Sequence, residues 1–231
     1  MATAYWFIFL LLCIAAFFSV KLGKLTIAAA VTGIFLSLLI FSGAGYTGVA
    51  MMAAFFILGS TATAFKITTK EALGLAEKNK GRRKAGQVLA NAGVAAGAGL
   101  LIHLFPSQIN ILSTMMAASF AAATSDTLSS ELGILYGRTC YNIITFKKDS
   151  RGANGVISAE GTFIGIAGSA IIGFIFSAGF SWNINLLYII IAGTAGNIAD
   201  SLLGATLERK NIIGNNTVNF LNTLAAAITA L

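Results

Sequence analysis

The feature that most constrains this chain is a series of long apolar runs whose connections alternate between basic and uncharged. Most runs span about 17 to 25 residues, which matches the hydrocarbon thickness of a bilayer when the run is helical. The sequence therefore predicts eight transmembrane helices. Their bounds are near residues 4–20, 25–42, 46–65, 85–105, 109–136, 156–180, 184–207 and 216–231.

The distribution of basic residues predicts how these helices are oriented. All 15 Lys and Arg residues fall in the connections after the first, third, fifth and seventh runs, and the other connections have none. Because Lys and Arg are retained on the cytoplasmic side of a membrane, those four loops are predicted to be cytoplasmic, or stromal in a plastid, with both termini outside. The first run carries no charge before Lys21, which favours a spanning helix over a cleavable leader.

Composition supports the same fold class. Only 10% of the residues are charged, whereas a soluble domain has about 25%. The chain also holds 25 glycines, which let membrane helices approach closely. We therefore predict one all-α polytopic membrane helix bundle over residues 1–231, with a basic cytoplasmic loop at 66–84 and a second, glycine-containing one at 137–155.

Two carboxylates fall well inside predicted spans, Asp126 in the fifth and Asp200 in the seventh. Each lies about ten residues before a basic loop, at a depth of roughly 14–16 Å. A carboxylate there costs a few kcal/mol unless it is paired, hydrated or metal-bound, and no predicted span contains a Lys or Arg. Mg²⁺ binds carboxylates together with phosphate oxygens and would resolve the repulsion; hydrogen bonds to neighbouring Ser and Thr residues are the alternative.

Small residues share a helical face with each of these acids. After Asp126 they recur at offsets of 3, 7 and 11, which is one narrow stripe of a helix. Such a stripe leaves room for a bulky polar ligand, although tight helix packing would use the same small residues. The residues predicted to border a ligand here are Ser129, Gly133, Gly137, Asn197 and Ser201.

Further polar residues cluster at the same membrane face. Arg83, Gln87 and Asn91 follow one another at intervals of four and share a face of the fourth helix. A glycine-rich loop at 151–155 follows two lysines and precedes a helix start, an arrangement that suits phosphate binding. The remaining candidates are Lys147, Lys148, Asn154, Ser158, Glu160, Thr162, Asn216 and Asn219.

The outer half of the predicted bundle offers little chemistry. His103 is the one histidine of the chain and lies beside an outer turn, so neither a nucleophilic triad nor a zinc site is assembled. Nucleic-acid binding is not expected, because the basic residues lie against a membrane. Cys13 and Cys140 do not form a disulfide framework.

At these residues the chain resembles the integral membrane family that includes the phytyl-phosphate kinase of chloroplasts. The resemblance covers most of residues 66–231. It is carried by GRRKAGQVLAN at 81–91, SDTLSSELG at 125–133, GANGVISAEGT at 152–162, DSLLGATLE at 200–208 and NTVN at 216–219. It implies a membrane-embedded kinase that acts on phytyl or a related prenyl phosphate.

A more distant similarity concerns the nucleotide. The pattern Asp126-x6-Gly133-x3-Gly137 is similar to the Asp/Gly/Gly signature of CTP-dependent dolichol and phytol kinases and of membrane CDP-diacylglycerol synthases. The two lysines at 147–148, followed by Glu-Gly at 160–161, are similar to the basic and Glu-Gly stretches of those enzymes. Together these resemblances imply CTP as phosphoryl donor, Mg²⁺ as cofactor and a prenyl monophosphate as acceptor.

We therefore predict transfer of the γ-phosphoryl group of CTP to a prenyl monophosphate at the cytoplasmic face. In this prediction Asp126, Asp200 and Glu131 hold Mg²⁺. The lysine pair and Arg83 neutralise phosphates, and amide side chains orient the ligand.

Three alternatives stay open. Cytidylyl transfer would use the same residues on the α-phosphate, and another lipid phosphotransferase would use them on a different acceptor. A cation- or proton-coupled transporter would use the buried acids differently. The sequence also leaves open the prenyl chain length, the nucleotide base, the oligomeric state, and whether the membrane is a bacterial or archaeal plasma membrane or that of a plastid or thylakoid.

Overall fold

The computed structural model describes residues 2–231, and Met1 and the side chains of Ala2, Lys78 and Lys80 lie outside that description. It is built almost wholly from helices, with one short antiparallel pair of strands. The helices are α1 Ala2–Lys21, α2 Ile27–Ala64, α3 Ile67–Ala72, α4 Ala85–Leu104, α5 Ile109–Tyr136, α6 Ala159–Gly179, α7 Asn185–Leu203 and α8 Asn215–Thr229. The strands are β1 Tyr141–Asn142 and β2 Val156–Ile157.

The predicted class, an all-α integral membrane bundle, is confirmed. Five helical stretches of the described chain are long and apolar enough to cross a membrane. They are Thr3–Lys21, Ile27–Ala64, Ala85–Leu104, Ala159–Gly179 and Asn185–Glu208. α5 carries Asp126 and Glu131, and α8 has only 15 residues, so the count of eight spans stays a prediction.

α2 contains the second and third predicted spans, joined by a bend where the sequence predicts a turn at 43–46. Gly45 has φ 57° and ψ −146°, a conformation that glycine adopts without steric cost. The two halves fold back on each other, and this brings the Ser37 hydroxyl within 3.2 Å of Met52 Sδ, to which it donates. In a straight helix those residues would lie about 22 Å apart.

α5 runs through the centre of the bundle and packs against α2, α4, α6, α7 and α8. Every residue from 116 to 125 is buried, and half of them are alanine. A helix that is apolar on all sides belongs in a core, and the small side chains let five neighbours approach it. The first residue after this buried run is Asp126, which is therefore held in the middle of the molecule.

The four basic connections lie at one end of the bundle. The segment before α2 pairs with the segment before α4, where the Thr26 amide donates to the Arg83 carbonyl at 3.0 Å. The connection after α5 is tied to the connection after α7 by an ion pair of 2.8 Å between Arg209 and Asp149. The alternation seen in the sequence therefore corresponds to a real segregation of charge.

Close approach of α2 and α4 depends on Gly99. A Cβ atom at Gly99 would lie 2.5 Å from the Leu39 carbonyl oxygen and 2.9 Å from Ile40 Cα. We expect Gly99→Ala to force the helices apart, to cost about 1–3 kcal/mol, and to lower the melting temperature in detergent.

Gly97→Ala is the matched control, because Gly97 lies on the same helix and a Cβ there meets no atom within 4 Å. We expect it to leave the melting temperature unchanged or slightly raised, since alanine favours a helix more than glycine does. Equal melting temperatures for the two variants would contradict the proposed crossing.

Candidate functional site

A cavity of about 570 Å³ opens among the helices at the end that carries the basic loops. Its volume falls within the range of small-molecule sites, about 300–1,000 Å³. Residues of α2, α4, α5, α6, α7 and α8 line it, together with the segment before α4 and the loop between α5 and α6.

Asp126 and Asp200 face each other across this cavity. The α5 and α7 backbones bring their carboxyl groups within hydrogen-bonding range of each other. The Asn222 amide of α8 donates to Asp200 Oδ1 at 2.8 Å and so fixes the orientation of that carboxyl. Neither acid has a basic partner within 4 Å among the described side chains.

The cavity lining is acidic as a whole. Five of the eight Asp and Glu residues of the chain lie around it, and the basic residues of the lining are two arginines. An anionic ligand such as a nucleotide would therefore need added positive charge to bind here. The acids are Glu77, Asp126, Glu131, Asp200 and Glu208, and the arginines are Arg83 and Arg151.

Glu131 is held by a buried lysine. The Lys70 side chain is fully buried and its ammonium lies 2.5 Å from Glu131 Oε2, while the Thr63 hydroxyl donates to Glu131 Oε1 at 3.1 Å. The same ammonium donates to the Ala62 carbonyl at 2.7 Å and so caps the C-terminal end of α2. This pairing ties α2 and α3 to α5.

Glu131 is predicted to be a metal ligand, and its ion pair with Lys70 gives it a different role in this structure. Within the described residues, no three His, Cys, Asp or Glu side chains are grouped closely enough to hold a metal ion. A cation at Asp126 and Asp200 would therefore take its remaining ligands from a bound molecule or from water. Glu131 acts in this structure as a structural partner of Lys70.

Arg83 is buried beside the cavity with its guanidinium free. Its side chain lies over the rings of Phe55 and Phe56, at 4.8 and 5.8 Å from their centroids. It has no hydrogen-bond or ion-pair partner among the described side chains. Gly59 makes room for it, because a Cβ there would collide with Nη2 of Arg83. Burial lowers the pKa of Arg83, and the charge of Glu77 opposes that lowering.

The predicted amide and hydroxyl residues differ in whether they already have hydrogen-bond partners within the protein. Asn91 lines the cavity with a buried Oδ1 atom that has no partner in the described part of the protein. The Ser129 hydroxyl donates to Asn197 Oδ1 at 3.2 Å and links α5 to α7. The Ser158 hydroxyl accepts from the Gly161 amide at 3.1 Å, which makes it the N-cap of α6.

Most predicted ligand residues lie around the cavity. These are Arg83, Gln87, Asn91, Asp126, Ser129, Glu131, Gly133, Asn154, Ser158, Thr162, Asn197, Asp200, Ser201 and Asn219. Their roles in binding stay predictions.

Five other predicted residues do not reach the cavity wall. Lys147 and Lys148 are exposed on the loop held by β1 and β2. Glu160 accepts from the Arg138 amide at 3.2 Å. The other two are Gly137, which ends α5, and Asn216, which packs against Gly86.

The cavity also contains residues outside the predicted set. Asn215 of α8 lines it together with the predicted Asn219. Asn222, the hydrogen-bond partner of Asp200, is not part of the lining, but the spacing of four and three places all three on one face of α8. Glu208 lies eight residues after Asp200, in the turn that follows α7, and also lines the cavity. Glu77 lies in a loop, where no periodicity points to it.

The chain matches a protein family and several known proteins. A family model described as integral membrane protein DUF92 matches residues 10–227. Protein VTE6, chloroplastic, from Arabidopsis thaliana is 34% identical over 200 residues, which cover 81% of this chain and 58% of that protein. This chain therefore spans less than two thirds of that relative.

Two uncharacterized membrane proteins are similarly related. One from Synechocystis sp. is 33% identical over 85% of this chain and 77% of its own length. One from Methanocaldococcus jannaschii is 35% identical over 80% of this chain and 75% of its own length. No solved structure matches the chain significantly.

The pairing of Lys70 with Glu131 predicts a large effect on stability. Lys70→Met leaves the Glu131 carboxylate without its counter-charge, and breaking a buried ion pair in this way costs about 3–5 kcal/mol. We expect a clear fall in the melting temperature in detergent.

The double variant Lys70→Met/Glu131→Gln is the control, because it removes both charges. We expect it to recover part of the lost stability. A single variant that melts no lower than the double variant would show that the pair does not hold α3 and α5 together.

Proposed function

Because this chain belongs to the integral membrane protein family DUF92, we propose that it is a prenyl-phosphate kinase that transfers the γ-phosphoryl group of CTP to a prenyl monophosphate. The resemblance seen in the sequence to an integral membrane family is confirmed by that membership. The substrates, the cofactor and the reaction are the proposal.

The observation that carries the proposal is the unneutralised pair Asp126 and Asp200 in a cavity of ligand size. Two adjacent carboxylates with no basic partner repel each other and favour a divalent cation. Their oxygens are the hard ligands that Mg²⁺ prefers, with phosphate oxygens and water completing its shell. When bound, Mg²⁺ would neutralise charge on the transferring phosphate groups.

The protein side chains would position the two phosphates. Arg83 lines the same cavity and offers donors that no described side chain engages. The unpartnered Oδ1 of Asn91 is an acceptor, which suits a hydrated metal ion rather than a phosphate oxygen. Phosphoryl transfer depends mostly on such positioning and on charge stabilisation. In the proposed step, an oxygen of the prenyl phosphate forms a bond to the γ-phosphorus, the bond from that phosphorus to the β-phosphate oxygen breaks, and CDP leaves.

A phosphate acceptor removes the need for a general base in the site. A phosphate monoester is already ionised at neutral pH, so its oxygen attacks without a general base. This agrees with a lining of acids, amides and arginines in which His103, in the last turn of α4, has no part.

Product analysis tests the proposed reaction. Purified protein is incubated with each nucleoside triphosphate and with prenyl monophosphates of several chain lengths, and the products are identified by mass. We expect prenyl diphosphate and CDP, with CTP as the preferred donor. Release of pyrophosphate would indicate cytidylyl transfer instead, and no turnover with any pair of substrates would contradict the proposal.

Asp126→Asn and Asp200→Asn test the acid pair. Each substitution is isosteric and removes one charge from the site, and we expect each to lower kcat by about 100-fold or more, as loss of an electrostatic group in an active site does. Because the substitution also relieves repulsion between the two carboxylates, the melting temperature should stay equal or rise.

Glu71→Gln is the matched control. Glu71 is an exposed acid of α3 outside the cavity lining, and its neutralisation should leave kcat unchanged. If the Asp126→Asn and Asp200→Asn variants fold and keep full activity, the proposed role of the pair is disproved.

A further inference from the structure

A second, apolar cavity of about 150 Å³ lies beside the first, between α1 and the two halves of α2. Its walls are mostly alanine, glycine and aliphatic side chains, among them Leu12, Ala16, Ala30, Gly33 and Met52. Val88 and Ala92 of α4 close its inner side. We call this space the α1–α2 groove.

The two serine hydroxyls in the groove are already satisfied within the protein. The Ser19 hydroxyl donates to the Ala15 carbonyl at 2.7 Å, and the Ser37 hydroxyl donates to Met52 Sδ at 3.2 Å. Apart from Arg83 at its end, the groove therefore needs no polar ligand to satisfy its walls. A hydrocarbon chain fits them best.

Arg83 lines both the groove and the acidic cavity. Its side chain is about nine-tenths buried, and its guanidinium has no hydrogen-bond or ion-pair partner among the described side chains. Glu77 and Glu131 supply negative charge near it, and its hydrogen-bond donors are left available to an anion in the cavity. The planar donors of arginine match phosphate as well as carboxylate oxygens, and phosphate is the anion that the proposed acceptor carries.

We propose that the α1–α2 groove binds the hydrocarbon chain of the acceptor while Arg83 holds its phosphate. This inference rests on the proposed function and names the subsite for one of its substrates. An amphipathic molecule with one anionic end is the ligand whose two parts match the two cavities that meet at Arg83.

The position of the groove along the helices agrees with such a ligand. Leu12 lies nine residues from Lys21, where α1 ends, which corresponds to about 14 Å along the helix axis. The groove therefore runs from the charged end of the bundle into the depth of the hydrocarbon layer. α1 packs mainly against α2 and is otherwise exposed, so a prenyl chain can enter from the bilayer beside it.

Gly33 offers a way to fill the groove without disturbing the fold. It lines the groove, and a Cβ there meets no atom within 4 Å. The phenyl ring of Gly33→Phe should therefore fill the part of the α1–α2 groove that the hydrocarbon chain of the acceptor would occupy. The matched control is Gly97→Phe, because Gly97 is an equally open helical glycine of α4 outside the groove.

Kinase assays then compare a long-chain prenyl monophosphate with a five-carbon one. We expect Gly33→Phe to lower kcat/KM for the long acceptor by about 10-fold or more, mainly through KM, as loss of apolar contacts in a pocket does. The same variant should leave the five-carbon acceptor unchanged, and Gly97→Phe should affect neither. Equal losses on both acceptors, or no loss on either, would overturn the inference and leave the kinase proposal standing.

Photocrosslinking tests the groove even if the protein turns over no acceptor. A prenyl monophosphate with a photoreactive group near the end of its chain should label α1 and α2, and Gly33→Phe should abolish that labelling. Labelling of the same residues to the same extent by a photoreactive phosphatidylcholine would mean that the groove holds an ordinary membrane lipid, which also overturns the inference. Absence of turnover together with specific labelling would contradict the kinase and support the groove.

Discussion

The repulsion between Asp126 and Asp200 is the constraint on which the rest of the site depends. Two carboxylates that have left bulk water stay charged only where a counter-charge can reach them and where the backbone holds them in place. α5 and α7 hold them, Asn222 fixes one of them, and the cavity gives access to ions and ligands. Such an arrangement lowers stability, and under the proposed function a bound cation would relieve the repulsion.

Along α5 the bundle changes from a closely packed half, before Asp126, to a half that borders the cavity. Buried alanines fill the run before Asp126, so neighbouring helices pack closely there and exclude water. After Asp126 the same helix borders the cavity. Two buried cations lie in this half of the bundle and differ in their partners. Lys70 is paired with Glu131 and joins three helices. Arg83 is unpaired among the described side chains and lines both cavities.

An amphipathic acceptor would explain why Arg83 is unpaired while Lys70 is paired. The groove beside α1 offers apolar walls, the larger cavity offers charge, and Arg83 lies where they meet. A protein that binds both parts of such a molecule can keep the chain at membrane depth while the phosphate reaches a water-soluble nucleotide. The exposed lysines of the β1–β2 loop are outside this path, and the cations that line the larger cavity are Arg83 and Arg151.

The sequence by itself determined the membrane class, the bounds of α4 and α5 to within a residue, the bend of α2 near Gly45 and the grouping of basic loops. Each of these follows from hydrophobicity, helical period or residue type along the chain. Only the tertiary structure decided that Asp126 meets Asp200, that Glu131 is paired with Lys70, and that Lys147 and Lys148 lie off the cavity. A helical period gives the face and the depth of a side chain, but its partner on another helix depends on packing angles and loop paths, which local spacing does not record.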